Sequence, residues 1–240
     1  MTPALRFTWR LTRLAGTTAA CVVPHLLARR HGRSPWPRRF LSRSAQIAGF
    51  DVQIAGTPRL HDVFYVANHL SWVDILALGG ATGCAFIAKD GIAKAPLVGR
   101  LAAQNNTVFV ARERRGAVAG HIENVRAALA AHQPIALFAE GGTGDGHALG
   151  PFKAPLFEVL LPPPRDILVQ PVVIDYGAAT PLVAWGEETG VDNARRILSA
   201  PGRRRLTLRF LDPFHPGTHA DRKTLAAETR ARIVEAMGAQ

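Results

Sequence analysis

Short apolar runs recur through the middle of this 240-residue chain, each separated from the next by a segment long enough for a helix. Apolar and polar residues do not alternate within the runs, which is typical of strands that are covered by helices on both faces. The pattern therefore predicts an α/β fold with a largely parallel central sheet flanked by helices. The predicted strands are residues 63–67, 85–88, 107–110, 135–139 and 167–174.

Helices are predicted between and after these strands, at residues 72–78, 92–103, 118–132 and 154–161. A late strand at 205–211 and a C-terminal helix from Asp221 are expected to close the domain. The two cysteines, Cys21 and Cys84, are too few for a disulfide framework, and we expect both to be free thiols. Cys84 has apolar neighbours in the sequence and is predicted to lie in the core.

The positive charge is concentrated at the N-terminus. Residues 1–50 hold nine of the 29 basic residues and none of the 18 acidic ones. Arginines stand on both sides of a mostly apolar stretch, 14–28, which is shorter than the ~20 residues that a spanning helix needs. We therefore predict a basic, amphipathic segment that associates with an anionic membrane surface. The chain is therefore predicted to have two parts. Residues 1–50 form the membrane-associating segment, which includes a linker rich in Arg, Pro and Ser at 34–44, and residues 51–240 form the α/β domain.

A secretory signal peptide is the alternative for this segment, since a basic start precedes an apolar run. More arginines follow the run, however, where a cleavage site would need small residues. Because positive charge tends to remain on the cytoplasmic side, we expect a peripheral or monotopic protein on the cytoplasmic face of the inner membrane.

The run 63–67 is followed directly by Asn-His-Leu-Ser-Trp-Val-Asp, which places His69 and Asp74 five positions apart where a strand gives way to a helix. An imidazole at the strand end can turn back onto a carboxylate in the first helical turn, which fixes its tautomer for general-base chemistry. The alternative is structural: Ser71 and Asp74 also fit a capping box that only satisfies amides of the first turn.

Two further clusters follow apolar runs. Arg112 comes just after the run 107–110, where its planar guanidinium could bind a phosphate, although 112–115 is also consistent with a solvated basic turn. Glu140 begins a loop with four glycines in six residues, which would let backbone amides approach a ligand. A flexible surface turn is the plain alternative, and the Gly-Lys-Ser/Thr of a phosphate-binding P-loop is missing.

A metal site that joins Glu140 with His69, His147 or Asp145 is a further alternative, because carboxylates and imidazoles bind several cations. No two histidines have the spacing of ligands on one helix, and Asp74 already gives His69 a nearer partner. We therefore predict no metal.

Together these clusters resemble the lysophospholipid acyltransferase family, whose signatures are Asn-His-x-Ser-x-x-Asp, Phe-x-x-Arg, Phe-Pro-Glu-Gly-Thr and Val-x-Pro-Val. Here the four blocks occur in that order at residues 68–74, 109–112, 138–143 and 169–172. Only the third departs noticeably: Ala139 replaces the proline, and Gly142 stands where threonine is common. The likeness covers about residues 50–215.

This resemblance implies transfer of a fatty acyl chain from an acyl carrier protein or coenzyme A thioester to the hydroxyl of a lysophospholipid, with no other cofactor. The expected acceptor is 1-acyl-glycerol-3-phosphate, and a lyso-aminolipid such as lyso-ornithine lipid is the alternative. His69 would be the general base, with no acyl-enzyme, and Asp74 its partner. The residues expected to bind substrate are Asn68, Ser71, Phe109, Arg112, Glu140, Gly141, Gly142, Thr143 and Lys153.

A function without catalysis would use the N-terminal arginines alone, as an adaptor for membranes or nucleic acid. The aromatic residues among them show no register that would suit stacking on single-stranded bases, so we expect no nucleic-acid partner.

Overall fold

A computed structural model describes residues 1–31, 34–110, 118–130, 133–146, 148–185 and 188–238. The strands within this part are β1 Phe50–Ala55, β2 Val63–Ala67, β3 Ala85–Lys89, β4 Val108–Val110, β5 Ile135–Phe138, β6 Leu168–Asp175 and β7 Arg204–Phe210. The α-helices are α1 Pro3–Ala28, α2 Trp36–Ala48, α3 Trp72–Thr82, α4 Asp90–Ala93, α5 Pro96–Gln104, α6 Val118–Ala130, α7 Thr180–Val183, α8 Gly190–Ser199 and α9 Arg222–Gly238.

The strands form one sheet in the order β1-β7-β6-β2-β5-β3-β4. Neighbouring strands are parallel except for β6 and β7, so β1 and β7 run against the other five. Apolar clusters cover both faces: Tyr65 and Phe138 belong to one, Phe64 and Leu137 to the other. The predicted α/β fold with a largely parallel sheet is confirmed, and each predicted strand corresponds to one of β2–β7.

Three local predictions differ from the structure. The predicted linker 34–44 is largely the helix α2, whose buried face includes Leu41, Ala45 and Ala48; its arginines and prolines concealed this periodicity. The segment predicted as one helix at 92–103 forms α4 and α5, with the second helix starting at Pro96, where proline favours a helix start. Ala154–Leu160 is a 3₁₀ helix.

Helix α1 packs against the domain along one face. The residues on that face recur every three or four positions and include Phe7, Arg10, Leu14, Cys21 and His25. Its contacts are mainly with α2 and α8. Among the helices in the described part of the chain, none is both long and apolar enough to cross a bilayer.

The parallel strands bring distant segments to one edge of the sheet. Residues that follow β2, β5 and β6 meet there, because parallel strands end on the same side. Strand β7 runs the opposite way, and its first residues therefore lie at this same edge. We call this edge, where β2, β5 and β6 end and β7 begins, the carboxyl edge.

Candidate active site

His69 and Asp74 are in direct contact at the carboxyl edge. The ring Nδ1 of His69 lies 2.8 Å from Oδ2 of Asp74. The Asp74 side chain is fully buried, whereas that of His69 retains 16% of its accessible surface. No described residue forms a hydrogen bond with Nε2 of His69, so this nitrogen can accept a proton from a bound molecule. The spacing of these two residues in the sequence therefore corresponds to a buried carboxylate that orients a partly exposed imidazole.

Ser71 and Asp74 also form the capping box that was the structural alternative for this motif. Ser71 is the N-cap of α3, and its hydroxyl accepts a hydrogen bond from the amide of Val73. Oδ2 of Asp74 accepts from the amides of Leu70, at 2.7 Å, and Ser71, at 2.9 Å, in addition to His69. One carboxylate oxygen thus caps the helix and orients the histidine.

The other oxygen of Asp74 accepts a hydrogen bond from Tyr176, which the sequence motifs did not identify. The hydroxyl of Tyr176, just beyond β6, donates to Oδ1 of Asp74. Burial, together with the charge and hydrogen bond of Asp74, raises the pKa of Tyr176 well above its ordinary value. The phenol therefore stays protonated and remains a donor. Nothing near Tyr176 in the sequence points to Asp74, which lies 102 positions earlier.

Phe138 forms one wall for the histidine. Its ring is stacked on the imidazole of His69, with centroids 4.0 Å apart and planes 13° apart. On the far side, Phe86 stacks on Phe138 at 5.9 Å. Phe138 is the last residue of β5, next to β2 in the sheet, so strand pairing brings it against the histidine. Sequence reasoning noted Phe138 as part of the third block and gave it no role.

Glu140 connects the histidine to the glycine-rich loop. Its Oε1 accepts from the backbone amide of His69 at 3.0 Å, and its Oε2 accepts from the amide of Gly150 at 2.8 Å. The amide of Gly144 donates in turn to the carbonyl of His69 at 2.7 Å. Three hydrogen bonds therefore hold the two ends of the loop against the β2–α3 turn.

The loop requires glycine at Gly146, which has a φ of +83° and lies so close to Thr180 that a Cβ would approach its Cγ2 to 2.5 Å. Beside the loop is an open cleft of about 450 Å³. It is lined by Glu140, Gly142, Thr143, Gly144, Asp145, Ala148, Gly150 and Trp185. Three residues predicted to bind substrate, Glu140, Gly142 and Thr143, therefore line one cleft.

Other predicted binding residues are placed differently. Asn68 is buried, and its amide exchanges hydrogen bonds with the backbone of Ile174 in β6, at 2.9 and 2.7 Å. Ser71 is buried as the helix cap. The amide of Gly141 donates to the Phe138 carbonyl at 3.2 Å. These residues shape the turns around His69, and their described bonds are to the protein itself.

The remaining predicted residues lie further along the sheet or outside the described part. Phe109 is half-buried on β4, two strands away from β5. Lys153 is exposed, and its backbone amide donates to the Ala139 carbonyl at 2.8 Å. Arg112, predicted as the phosphate ligand, and His147, named in the metal alternative, lie outside the described residues. In the described part no group of three or more metal-ligating side chains occurs.

The geometry can support proton transfer at Nε2 of His69. The open cleft is connected to this residue through Glu140, which lines the cleft and accepts from the His69 amide. An Acyltransferase family model matches residues 51–175, which contain His69, Asp74 and the glycine-rich loop but not Tyr176, Thr180 or Trp185. The lyso-ornithine lipid O-acyltransferase of Brucella abortus (strain 2308) is 32% identical over 222 residues, which cover 84% of this chain and 82% of that protein.

Two further comparisons agree. The 1-acyl-sn-glycerol-3-phosphate acyltransferase of Neisseria gonorrhoeae is 32% identical over 149 residues, which cover 61% of this chain and 53% of that protein. The crystal structure of the 1-acyl-sn-glycerophosphate acyltransferase from Thermotoga maritima has the same fold, with a TM-score of 0.72 at 22% identity over 99% of this chain and 95% of that one. The chain belongs to the acyltransferase family and is an acyl-transferring enzyme.

Proposed function

We propose that this enzyme transfers a fatty acyl chain from a thioester to the free hydroxyl of a lysolipid, with His69 as general base. One observation carries the proposal: Nδ1 of His69 is held 2.8 Å from Asp74, while Nε2 has no partner among the described residues. A bound hydroxyl is the group that such a nitrogen would deprotonate.

In the proposed reaction, Nε2 removes the hydroxyl proton as the oxygen attacks the thioester carbonyl. A carbon–oxygen bond forms, the carbon–sulfur bond breaks, and the imidazolium returns the proton to the departing thiolate. Asp74 stabilises the imidazolium and no acyl-enzyme forms. The amides of Leu70 and Ser71 are already bonded to Asp74, so the oxyanion must find its donors elsewhere.

For the acceptor, we favour a lyso-ornithine lipid over 1-acyl-glycerol-3-phosphate. The Brucella relative, which matches over most of its length, carries the first activity in its name. Glu140 lines the cleft with a carboxylate that accepts from two uncharged backbone amides, and the described lining contains no basic side chain. That lining suits a headgroup with an ammonium better than a phosphate monoester. The second candidate is 1-acyl-glycerol-3-phosphate. It is supported by the name of the Neisseria relative and by the prediction that Arg112 binds a phosphate.

The acceptor can be tested by mass spectrometry of products formed from a mixture of the two lysolipids, with acyl carrier protein and coenzyme A thioesters supplied separately. We expect acylated ornithine lipid to form and phosphatidic acid to form more slowly. A product that is phosphatidic acid alone would reverse the preference. The two donor reactions identify the thioester.

The role of His69 is tested by His69→Ala. Loss of a positioned general base should lower kcat by about 10²–10⁴. The fold should be retained, since Asp74 keeps three other donors. The measurement is kcat at saturating donor and acceptor, with circular dichroism to confirm that the variant is folded. Turnover at the wild-type rate would remove His69 from the mechanism.

We also propose that the enzyme binds the membrane surface through α1. Away from the domain, α1 exposes a stripe that includes Leu5, Trp9, Val23, Leu26 and Leu27. The hydroxyls of Thr8 and Thr12 along the stripe bond to carbonyls four residues earlier, which lowers their polarity. An apolar stripe with arginines beside it is typical of a helix that lies in the lipid interface.

The stripe is tested by Val23→Gln with Leu27→Gln in vesicle sedimentation. Burial of each side chain in lipid is worth about 1.5–3 kcal/mol, so the double variant should bind far more weakly. Val191→Gln is the matched control, because Val191 is an exposed apolar residue on α8. An equal effect of both changes would contradict a membrane-facing α1.

A further inference from the structure

Five arginines from two distant segments form a cluster at the carboxyl edge. Arg6, Arg10 and Arg13 come from the first half of α1. Arg204 is the first residue of β7, and Arg203 directly precedes it. Burial, followed by the charges of Arg204, Arg6, Arg203 and Arg13, lowers the pKa of Arg10 below its ordinary value. We call these five residues the arginine cluster.

Among the described residues, one carboxylate, that of Asp51, is bonded to the cluster. Arg203 forms a two-pronged ion pair with Asp51, through Nε and Nη2. The guanidinium of Arg10 is bonded entirely to carbonyl oxygens, those of Ile197, Leu198, Ala200 and Gly202, at 3.1–3.3 Å. Carbonyls satisfy hydrogen-bond donors and carry no net charge, so they leave the positive charge of Arg10 uncompensated.

The other members are also without a carboxylate in the described part of the chain. Arg6 donates to the carbonyls of Ser199, at 2.6 Å, and Met1, at 3.0 Å. Arg204 donates through Nη2 to the carbonyl of Pro201 at 2.5 Å, while its Nη1 is buried with no partner. Arg13 is exposed and makes no described hydrogen bond. Five guanidinium groups and one carboxylate leave the cluster with a net charge of about +4.

The arginine cluster lies beside the apolar stripe of α1. Leu5 and Trp9 are more than half exposed and lie one helical turn apart. Trp9 is a neighbour of Arg6 and Arg13 in the helix, at spacings of three and four residues. A ligand that occupied both surfaces would need an anionic, oxygen-rich head and an apolar tail. Guanidinium groups bind phosphate with paired, charge-assisted hydrogen bonds.

The cluster and His69 share one edge of the sheet. Asp175 of β6 pairs with Thr207 of β7, so Arg204 lies beyond the end of β6, on the side where β2 also ends. Phe50 is the partner of Arg204 in β1, and its ring meets Tyr176 edge-on at 5.6 Å. Tyr176 in turn donates to Asp74.

We propose that the arginine cluster binds the phosphate of an anionic phospholipid, separate from the lysolipid acceptor, and so turns the carboxyl edge toward the bilayer. The lipid's acyl chains would lie against Leu5 and Trp9. This site deepens the proposed membrane association and rests on it. It does not depend on the proposed chemistry, because lipid binding needs no turnover.

The test is sedimentation of the full chain with phosphatidylcholine vesicles that contain phosphatidylglycerol. The cluster variant is Arg13→Gln with Arg204→Gln. Its matched control is Arg30→Gln with Arg205→Gln, which removes the same charge. Arg30 lies in the 3₁₀ turn just beyond the other end of α1, and Arg205 follows Arg204 in the strand and points to the opposite face. We expect the dissociation constant to rise at least about tenfold more in the cluster variant than in the control.

Equal weakening of the two variants would mean that only diffuse attraction holds the protein, and would overturn the site. Asp51→Asn gives an independent arm without any lost arginine, because it frees Arg203 at an exposed position. Binding to these vesicles should then tighten; unchanged or weaker binding would count against the site.

Inorganic phosphate distinguishes a lipid from a soluble anion. If it raises the melting temperature of the wild-type chain but not of the cluster variant, while both bind vesicles equally, the ligand is a soluble anion and the lipid assignment is wrong. The vesicle sedimentation is repeated with His69→Ala. Binding equal to that of the wild-type chain shows that the lipid site is independent of the acyl-transfer reaction. The variant Val23→Gln with Leu27→Gln tests the proposed membrane association through α1 separately, because it leaves all five arginines of the cluster in place. If this variant binds the vesicles as tightly as the wild-type chain, the proposed membrane association is wrong.

Discussion

At the residue scale, the carboxylate of Asp74 joins folding to chemistry. It receives four donors: the His69 ring, the amides of Leu70 and Ser71, and the Tyr176 hydroxyl. A buried carboxylate is costly unless its oxygens are bonded, and here every donor comes from an element that shapes the site. The same bonds that satisfy the charge therefore fix the position of the histidine.

Tyr176→Phe should separate these roles. Without the hydroxyl, Oδ1 of Asp74 loses its donor, and the carboxylate that orients His69 is held less firmly. We expect kcat to fall by about tenfold while the KM of the acceptor stays nearly unchanged. The measurements are kcat, KM and the urea midpoint of unfolding. A lower urea midpoint with an unchanged kcat would indicate that Tyr176 only fills space.

The residue pair in this site could be predicted because it is local. His69 and Asp74 are separated by one turn, and a strand followed by a cap signal fixes their relative position. Tyr176 and Phe138 could not be found this way, because their places depend on which strands become neighbours in the sheet. The block order did identify Glu140, although the two backbone amides that it binds became visible only in the structure.

At the element scale, α1 is fastened to α8 by a buried charge. The guanidinium of Arg10 binds four carbonyls at and beyond the end of α8, where a helix leaves its last carbonyls without partners. A cation at a helix C-terminus is also favoured by the helix dipole. Arg10 therefore holds α1 in place, and it contributes its charge, not a hydrogen-bond donor, to the arginine cluster.

Arg10→Met should destabilise the protein by at least about 2 kcal/mol, since several buried carbonyls lose a charged donor. Relief of repulsion from the neighbouring arginines offsets part of this loss. The measurement is the urea midpoint of unfolding. Arg13→Met, one turn along the exposed side of α1, should leave the midpoint nearly unchanged. Equal midpoints for both variants would show that Arg10 does not anchor the helix.

The prediction of elements succeeded where apolar runs were continuous and failed where charge interrupted them. The runs that became β2, β3, β5 and β6 are mostly buried, so their composition alone marks them. Helix α2 buries a narrow stripe beneath exposed arginines, and β1 has a partly exposed surface. In both cases the sequence resembles a linker, and the deciding contacts are with α3 and β7.

At the scale of the whole molecule, the site depends on the topology of the sheet. The parallel strands β2, β5 and β6 bring the His69 turn, the glycine-rich loop and Tyr176 together, although 107 positions separate His69 from Tyr176. The fold class was predictable from periodicity. The strand order was not, because nothing in the strand sequences states which neighbour each will pair with.

Cys84 provides a measurement of global stability. It is fully buried, as predicted, and burial raises its pKa to about 12 from an ordinary value near 9. Between these values the unfolded chain releases a proton that the folded chain keeps, so folding stability should fall as the pH rises above about 9. Urea midpoints on both sides of pH 9 measure the effect. Cys84→Ala should remove the contribution of Cys84 to this loss of stability at alkaline pH. If the loss is the same in the variant, the buried tyrosines cause it.

The clip that Glu140 makes between the amides of His69 and Gly150 has a practical consequence for protein engineering. For the proposed reaction, residues 142–145 are the part of the loop to exchange when a different lipid is to be accepted, because the two anchors and Gly146 lie outside that stretch. Lengthening or shortening the loop elsewhere would shift the proton acceptor as well. Libraries for changed selectivity should therefore vary only the tip and leave both anchors untouched.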